Sequence, residues 1–460
     1  MPQTAAAPDI APDGRDWAAF AERLGDIPIE RSPAQRRKKS RDFYWYSPLL
    51  KVRLDGLCAD LVVTARDEAD VVRVAAECAR ARVPLTVRGA GTGNYGQAMP
   101  LEGGVVLDIS GMDRLLWLRD GVVRIEAGIK MLDLDNLTRP QGWEMRQWPS
   151  TRRTATVGGF LAGGSTGVGG IGWGLLADRG AVNAVRVVTC EETPRVLDLR
   201  GDAIAPVLHA YGTNGIVTEV ELALEPAAPW VDVVVAFDDF MEAARFCMAV
   251  ATGDGMVKKL VTAIAAPVPQ WLPTLRRAVP AGQHIAMLML AEWSLDWYRE
   301  LRDRHGGTEV YRRTEAEVAA ANLVPLYEYS WNHTTLYALK TDPTITYLQT
   351  LFAPPDPLAK VQWSLETFGD ETPMHLEFVR LGGWVGCFGL QLVRYSTPER
   401  LAEIIRIHEA NGCPIFDPHT HVIEDGGMKR TDARQLAFKR EADPHGLLNP
   451  GKLRGWEARP

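Results

Sequence analysis

Cysteine is scarce in this chain, long apolar runs are missing, and basic charge is not in excess. Among 460 residues there are six cysteines, Cys58, Cys78, Cys190, Cys247, Cys387 and Cys413, widely separated and without a CxxC spacing. That excludes a disulfide framework and argues against iron–sulfur or structural zinc sites. The thiols read as buried and reduced in a cytosol-like compartment, so the expected location is cytoplasmic. No stretch approaches the roughly 18 consecutive apolar residues of a membrane span, and no integral membrane association is expected. The N-terminus is acidic and rich in Pro and Ala; it lacks the basic start and apolar core of a secretion signal. Lys and Arg total 51 against 58 Asp and Glu, a net charge of -7. Broad nucleic-acid binding needs the opposite balance.

What is present suits a globular protein. Hydrophobic residues make up 46% and charged residues 24%, and at roughly 150 residues per domain the length suggests two to four domains. Residues 1–12 read as disordered, and 15–24 as a short amphipathic helix. The basic run Arg36, Arg37, Lys38, Lys39, Arg41 precedes Phe43, Tyr44, Trp45 and Tyr46. It reads as a solvated arm laying its aromatics on the domain; contact with an anionic surface is the alternative. From residue 59, strand and helix alternate: strands near 59–65, 83–87, 103–110, 122–128, 182–189 and 215–224, helices over 67–82 and 130–142. A Pro/Ala-rich shift at 225–229 marks a linker. Beyond it, 284–290, 329–339 and 384–393 read as strands, and 240–251 and 398–412 as helices. The expected units are an arm (1–47), a first domain (48–228), a second α+β domain (229–416) and a C-terminal segment (417–460).

Two glycine clusters stand out. Gly91 to Gly96 spells GxGxxG, but Pro100 and the pair Gly103-Gly104 keep a helix from starting cleanly there, which argues against a Rossmann fingerprint and leaves a tight strand–strand loop without ligand as one alternative. The loop from Arg88 can instead curl its N–H groups into an anion nest. The second cluster places nine glycines between Gly158 and Gly174. So dense a run is expected where backbone closely approaches a large flat or anionic ligand.

Four segments carry a family resemblance. VPLTVRGAGTGNYGQAMPLEGG, TATVGGFLAGGSTGVGGIGWG, AYGTNGIVTEVELALEP and ADPHGLLNPGKL occur in the order seen in the vanillyl-alcohol oxidase / p-cresol methylhydroxylase family of FAD enzymes. The chain most resembles the group containing glycolate oxidase, D-lactate dehydrogenase and D-2-hydroxyglutarate dehydrogenase. The resemblance implies an α+β fold: a PCMH-type FAD-binding domain of two α/β subdomains and a cap domain with an antiparallel sheet. It implies FAD contacts at Arg88, Gly89, Ala90, Gly91, Thr92, Gly93 and Asn94. Further contacts fall at Pro149, Ser150, Thr156, Gly158, Gly159, Gly163, Gly164, Ser165, Ile216, Val217, Asn449 and Lys452. Covalent members carry His or Cys in the first loop; Thr92 stands there, so non-covalent FAD is expected, with attachment through the cap left open. The two histidines of the metal-dependent members' strand fall near Trp384 and Gln391, so no metal is expected in that place.

The implied activity is oxidation of C–OH to C=O on a small molecule, with hydride passing to flavin and electrons leaving to oxygen, a quinone or a redox partner protein. Amine or aromatic alcohol oxidation on the same scaffold, or a non-catalytic flavin-binding protein, are the rivals. A homodimer stays open. The proton acceptor is sought among histidines. His419 and His421, alternating with Asp417, are the candidates; a His-x-His metal pair or two loop histidines are the alternatives. His333 lines the substrate cavity or is structural. Tyr327, Tyr329 and Trp331 share a face if 329–339 is a strand, and His375 pairs with Glu377 by the same logic. Arg380 and Arg394 are candidate carboxylate clamps by chemistry alone.

Overall fold

The computed structural model describes residues 14–457; the disorder expected for residues 1–12 lies outside them. The helix expected over 67–82 forms at Glu68–Ala81. The Asp67 side chain caps it by accepting from Asp70 N, and Arg82 ends it in the left-handed region. Its buried stripe, Val71, Val74, Ala75 and Cys78, follows the 3.6-residue period that drives such a helix onto a sheet.

That sheet has four strands in the order Ile29–Glu30, Leu61–Thr64, Val105–Asp108, Leu85–Arg88. The last three run parallel, with Arg88 beside Asp108. Parallel strands present their ligand loops at their carboxyl ends, and Arg88 opens the first glycine loop there. The outer edge of Leu85–Arg88 is closed by the C-terminal segment: Leu85 N donates to Leu447 O at 2.8 Å and Asn449 N to Leu85 O at 2.9 Å. An unpaired edge is thereby covered.

A second, antiparallel sheet orders Leu115–Arg119, Val122–Glu126, Ile216–Pro226, Val182–Val188 and Val196–Arg200, with Trp143–Met145 on the far end of Ile216–Pro226. A third, seven-stranded antiparallel sheet lies wholly between Trp230 and Gly389. The helix Phe240–Thr252 packs its Phe240, Phe246, Cys247 and Val250 onto it. Fold class and cap sheet therefore match the expectation.

Two expected strands differ. Residues 329–339 are not a strand: a 3-10 turn at Leu326–Tyr329 leads into a helix at Asn332–Thr341. Thr334, Thr335 and Ala338 form its buried face, a helical spacing that overrides the strand preference of aromatic and β-branched residues. The shared face of Tyr327, Tyr329 and Trp331 is lost with the strand. The segment 384–393 also breaks. Trp384–Gly389 stays in the cap sheet, whereas Leu392–Arg394 pairs with Ile345–Tyr347 in a separate ribbon. The basic arm is tied down: Lys39 pairs with Asp108, and Arg36 donates to Asp60 O at 2.7 Å.

Candidate cofactor and substrate cleft

Both glycine clusters reach one cleft, which encloses about 1620 Å³ of space free of protein atoms, its open mouth included. The first loop forms one wall. Among the described residues, no N–H from Gly89 to Asn94 donates to a protein acceptor, although the loop is only partly exposed. A run of unsatisfied donors in a half-buried loop is expensive unless a ligand accepts from it. Gly91 lies at φ +66, and a Cβ there would strike the Arg88 guanidinium. A Cβ on Gly89 would strike the Thr156 hydroxyl, so the two clusters touch at that point.

Arg88 lies beneath this loop, 7% exposed. It donates to Arg41 O at 2.5 Å and Ala90 O at 3.1 Å, and its Nε has no partner. Burial lowers its pKa, while the nearby Asp42 and Asp108 carboxyls favour its charge without an ion pair to it. A buried guanidinium beside six free N–H groups is an anion site. The residues present fit the pyrophosphate of a dinucleotide.

The second cluster divides. Gly158, Gly159, Gly163, Gly164 and Ser165 line the cleft, as do Pro149, Ser150, Thr156 and Val217. Thr156 caps the short helix Val157–Gly163 by accepting from Gly159 N at 3.2 Å. Gly167 and Gly169 face away: Cβ atoms there would run into the Trp148 and Arg146 carbonyls. Those glycines serve close backbone packing inside the protein, a role that glycine counting does not distinguish from ligand contact.

Three expected contact residues stand behind the wall instead of lining it. Ile216 is fully buried in the core. Asn449 Nδ2 donates to Gln97 O at 2.7 Å and Tyr211 O at 2.6 Å, and Lys452 Nζ donates to Gly96 O at 2.5 Å. They brace the first loop. Burial, opposed by the attraction between them, brings Asp42 up to about 6 and Lys452 down to about 7.

The histidines are redistributed. His419 is 2% exposed and does not line the cleft. Its Nε2 faces Tyr347 O at 2.9 Å, and Nδ1 faces Ser47 Oγ at 2.8 Å. A carbonyl only accepts, so Nε2 carries the proton and Nδ1 takes the serine hydrogen. No lone pair remains for a substrate or a metal. His421 also lies off the cleft wall; burial, with Lys452 and Arg53 nearby, holds it at about 4. His333 does line the cleft. Its Nδ1 donates to Glu328 O at 3.2 Å, and among the described residues no protein group bonds Nε2. Burial first, then the Lys340 charge, lowers it to about 4, so the imidazole is neutral at physiological pH. Arg380 and Arg394 pair with Asp254 and Asp342 outside the cleft, which removes them as clamps.

The corner carrying His333 is strained. Trp331 has φ 51 and ψ -140, rare for a bulky residue. Glu377 Oε1 accepts its N–H at 2.7 Å and faces His375 Nε2 at 2.8 Å, while Oε2 accepts from Thr262 Oγ1 at 2.7 Å. The Glu377, His375 and Thr262 side chains are almost fully buried. Trp331, Asn332 and His333 thereby all reach the cleft.

The sequence patterns missed several lining residues. Asp42, Phe43 and Tyr46 of the arm, His209, Tyr211 and Gln349 all face the cleft. For His209 and Tyr211 the signal was the turn-rich run HAYGTNG: both residues take positive φ, 47 and 51. Nothing in the pattern around Gln349 marked it.

Comparison with known proteins bears on what the cleft holds. Residues 59–198 match the FAD binding domain family.

The expectation of a PCMH-type domain and of FAD as its cofactor holds. The chain is 29% identical over 220 residues to glycolate oxidase subunit GlcD of Escherichia coli (strain K12), covering 45% of this chain and 44% of that protein. It is 29% identical over 180 residues to D-lactate dehydrogenase of Anaerostipes hadrus, covering 36% and 37%. It is 36% identical over 138 residues to D-2-hydroxyglutarate dehydrogenase of E. coli (strain K12), covering 29% and 13%. The chain spans under half the length of these curated relatives. Its fold continues beyond the FAD domain: alkyldihydroxyacetonephosphate synthase, 17% identical, superposes with a TM-score of 0.72 over 95% of this chain and 86% of that one. No described helix is long and apolar enough to cross a membrane.

Proposed function

We propose that the chain is an FAD-dependent oxidoreductase that converts C–OH to C=O on a small molecule. The observation that carries this reading is the single cleft. A nest of free N–H groups and a buried Arg88 lie on its FAD-domain wall, and a neutral histidine with a free Nε2 lies on its cap wall. FAD, when bound, supplies the acceptor for the hydride leaving the carbinol carbon. Arg88 and the Gly89–Asn94 backbone would hold its pyrophosphate. Thr92 offers no nucleophile of the kind that links flavin through the first loop, and non-covalent binding is proposed on that ground, attachment through the cap being the alternative. His333 accepts the substrate hydroxyl at Nε2 and takes its proton as the carbonyl forms. This role replaces the one expected at His419 or His421.

Purified protein should be yellow, with absorbance near about 450 nm from oxidised flavin. Acid precipitation should release the flavin into the supernatant. Protein that stays colourless after incubation with FAD overturns the reading, and flavin pelleting with the chain overturns non-covalent binding.

A further inference from the structure

Cationic side chains are scarce in the cleft, and this bears on which alcohols it accepts. Beside the first loop its walls are Asp42, Phe43 and Tyr46 of the arm with Tyr95, and, from beyond the glycine clusters in sequence, Trp331, Asn332 and Gln349; Phe43 N donates to Gly93 O at 2.7 Å. A neutral hydrogen-bond network ties the two amides to the first loop: Gln349 Nε2 donates to Tyr95 Oη at 2.5 Å, and Asn332 Nδ2 to the same oxygen at 3.4 Å and to Asn94 Oδ1 at 3.4 Å. Among all the described residues lining the cleft, the one Lys or Arg is Arg88. It is fixed under the first loop by two carbonyls. A pyrophosphate held by the first loop takes Arg88, and among the described residues no second Lys or Arg lines the cleft for another anion. The lining histidines, His209 and His333, are held neutral by burial.

A 2-hydroxy acid brings a carboxylate next to its carbinol carbon. Removing that carboxylate from water without a counter-charge is strongly unfavourable. We infer that the substrate is an uncharged alcohol without a carboxylate beside the carbinol. Asn332 and Gln349 read its polar groups, and Trp331 and Phe43 cover its apolar surface. The inference rests on the oxidoreductase reading and narrows its substrate class. Amide donors and acceptors discriminate neutral hydroxyl groups by geometry, and exclusion of the acid follows from the missing cation.

The test uses the FAD-loaded full chain under anaerobic conditions. The flavin spectrum is followed while oxalate, glycolate or D-lactate is added to millimolar concentration, and separately benzyl alcohol. The wild type should show no saturable perturbation by oxalate and no bleaching by either hydroxy acid; bleaching by benzyl alcohol supports the inference. Gln349→Arg, which supplies the missing cation, should bind oxalate at least about tenfold more tightly than the wild type. Asn332→Lys serves as a second variant should Gln349→Arg lose its flavin. Wild-type flavin that is bleached by glycolate or D-lactate, or saturably perturbed by oxalate, overturns the inference while leaving the oxidoreductase reading standing. Flavin-loaded variants that gain no oxalate binding also overturn it. Failure to bind FAD at all sinks the underlying reading instead.

Discussion

At Trp331 the backbone adopts a conformation that costs about 1–3 kcal/mol for a side chain of this kind. Such strain persists only where surrounding contacts over-determine it, and here the buried Glu377 carboxylate holds the N–H. The consequence is that the next residues, Asn332 and His333, both face the cleft. His333 is where the chemistry is most testable. Replacing it with Asn removes the proton acceptor while keeping polarity and approximate size. Turnover should fall by about 10²–10⁴-fold with flavin content unchanged, as read by steady-state kinetics beside the flavin absorbance. The wild-type pH profile should be distinctive as well. An ordinary histidine loses its lone pair as pH falls through about 6.5. His333, held down to about 4, keeps it. Thus kcat/KM should stay level through the ordinary histidine range and drop only as pH approaches 4. An acid limb near the ordinary value points to another base.

Among elements, the first glycine loop was the most legible, because its function depends on backbone that a side chain would obstruct. At Gly91 both reasons for glycine coincide, a positive φ and a Cβ position occupied by the Arg88 guanidinium. Gly91→Ala should weaken FAD binding by about 10-fold or more, measured by titrating the stripped protein with FAD and following flavin fluorescence. The helix Asn332–Thr341 was the least legible element. Its aromatic and β-branched residues favour a strand, and only packing of Thr334, Thr335 and Ala338 against the protein interior makes it helical. The break after Gly389 has a similar cause. Leu390 N is drawn to His375 O, and Leu392–Arg394 finds its partner in Ile345–Tyr347. Partners 47 residues or so apart leave no trace in local periodicity.

On the scale of the whole molecule, burial keeps several histidines neutral. His209, His333 and His421 are each held at about 4, against about 6.5 in an unfolded chain. Between those values the unfolded state binds more protons than the folded one, so stability rises with pH across that window. This stabilisation is full above about 6.5 and is lost progressively as pH falls toward 4. Thermal unfolding of the flavin-free protein should therefore show a steep drop in Tm between those limits. Substituting His209 by Gln should flatten the slope by up to about 1.4 kcal/mol per pH unit. An unchanged slope contradicts the burial argument for that residue. The C-terminal segment acts on this scale too, closing the edge of Leu85–Arg88 and bracing the first loop through Asn449 and Lys452.

The helix Glu68–Ala81, the strands Leu61–Thr64, Leu85–Arg88, Val105–Asp108, Val122–Glu126, Val182–Val188 and Ile216–Pro226, and the two glycine clusters were set by the chain's local chemistry, whereas the strands Leu115–Arg119, Trp143–Met145 and Val196–Arg200 escaped it and the FAD domain was implied by resemblance. Periodicity, turn residues and missing side chains are properties of neighbouring residues and can be read in one dimension. Which histidine keeps a free lone pair, which glycines face the cleft and how few cationic side chains line it were decided only by folding. Each depends on what a distant segment places opposite: Tyr347 and Ser47 occupying His419, Trp148 and Arg146 backing Gly167 and Gly169, and Glu377 turning the Trp331 corner toward the cleft.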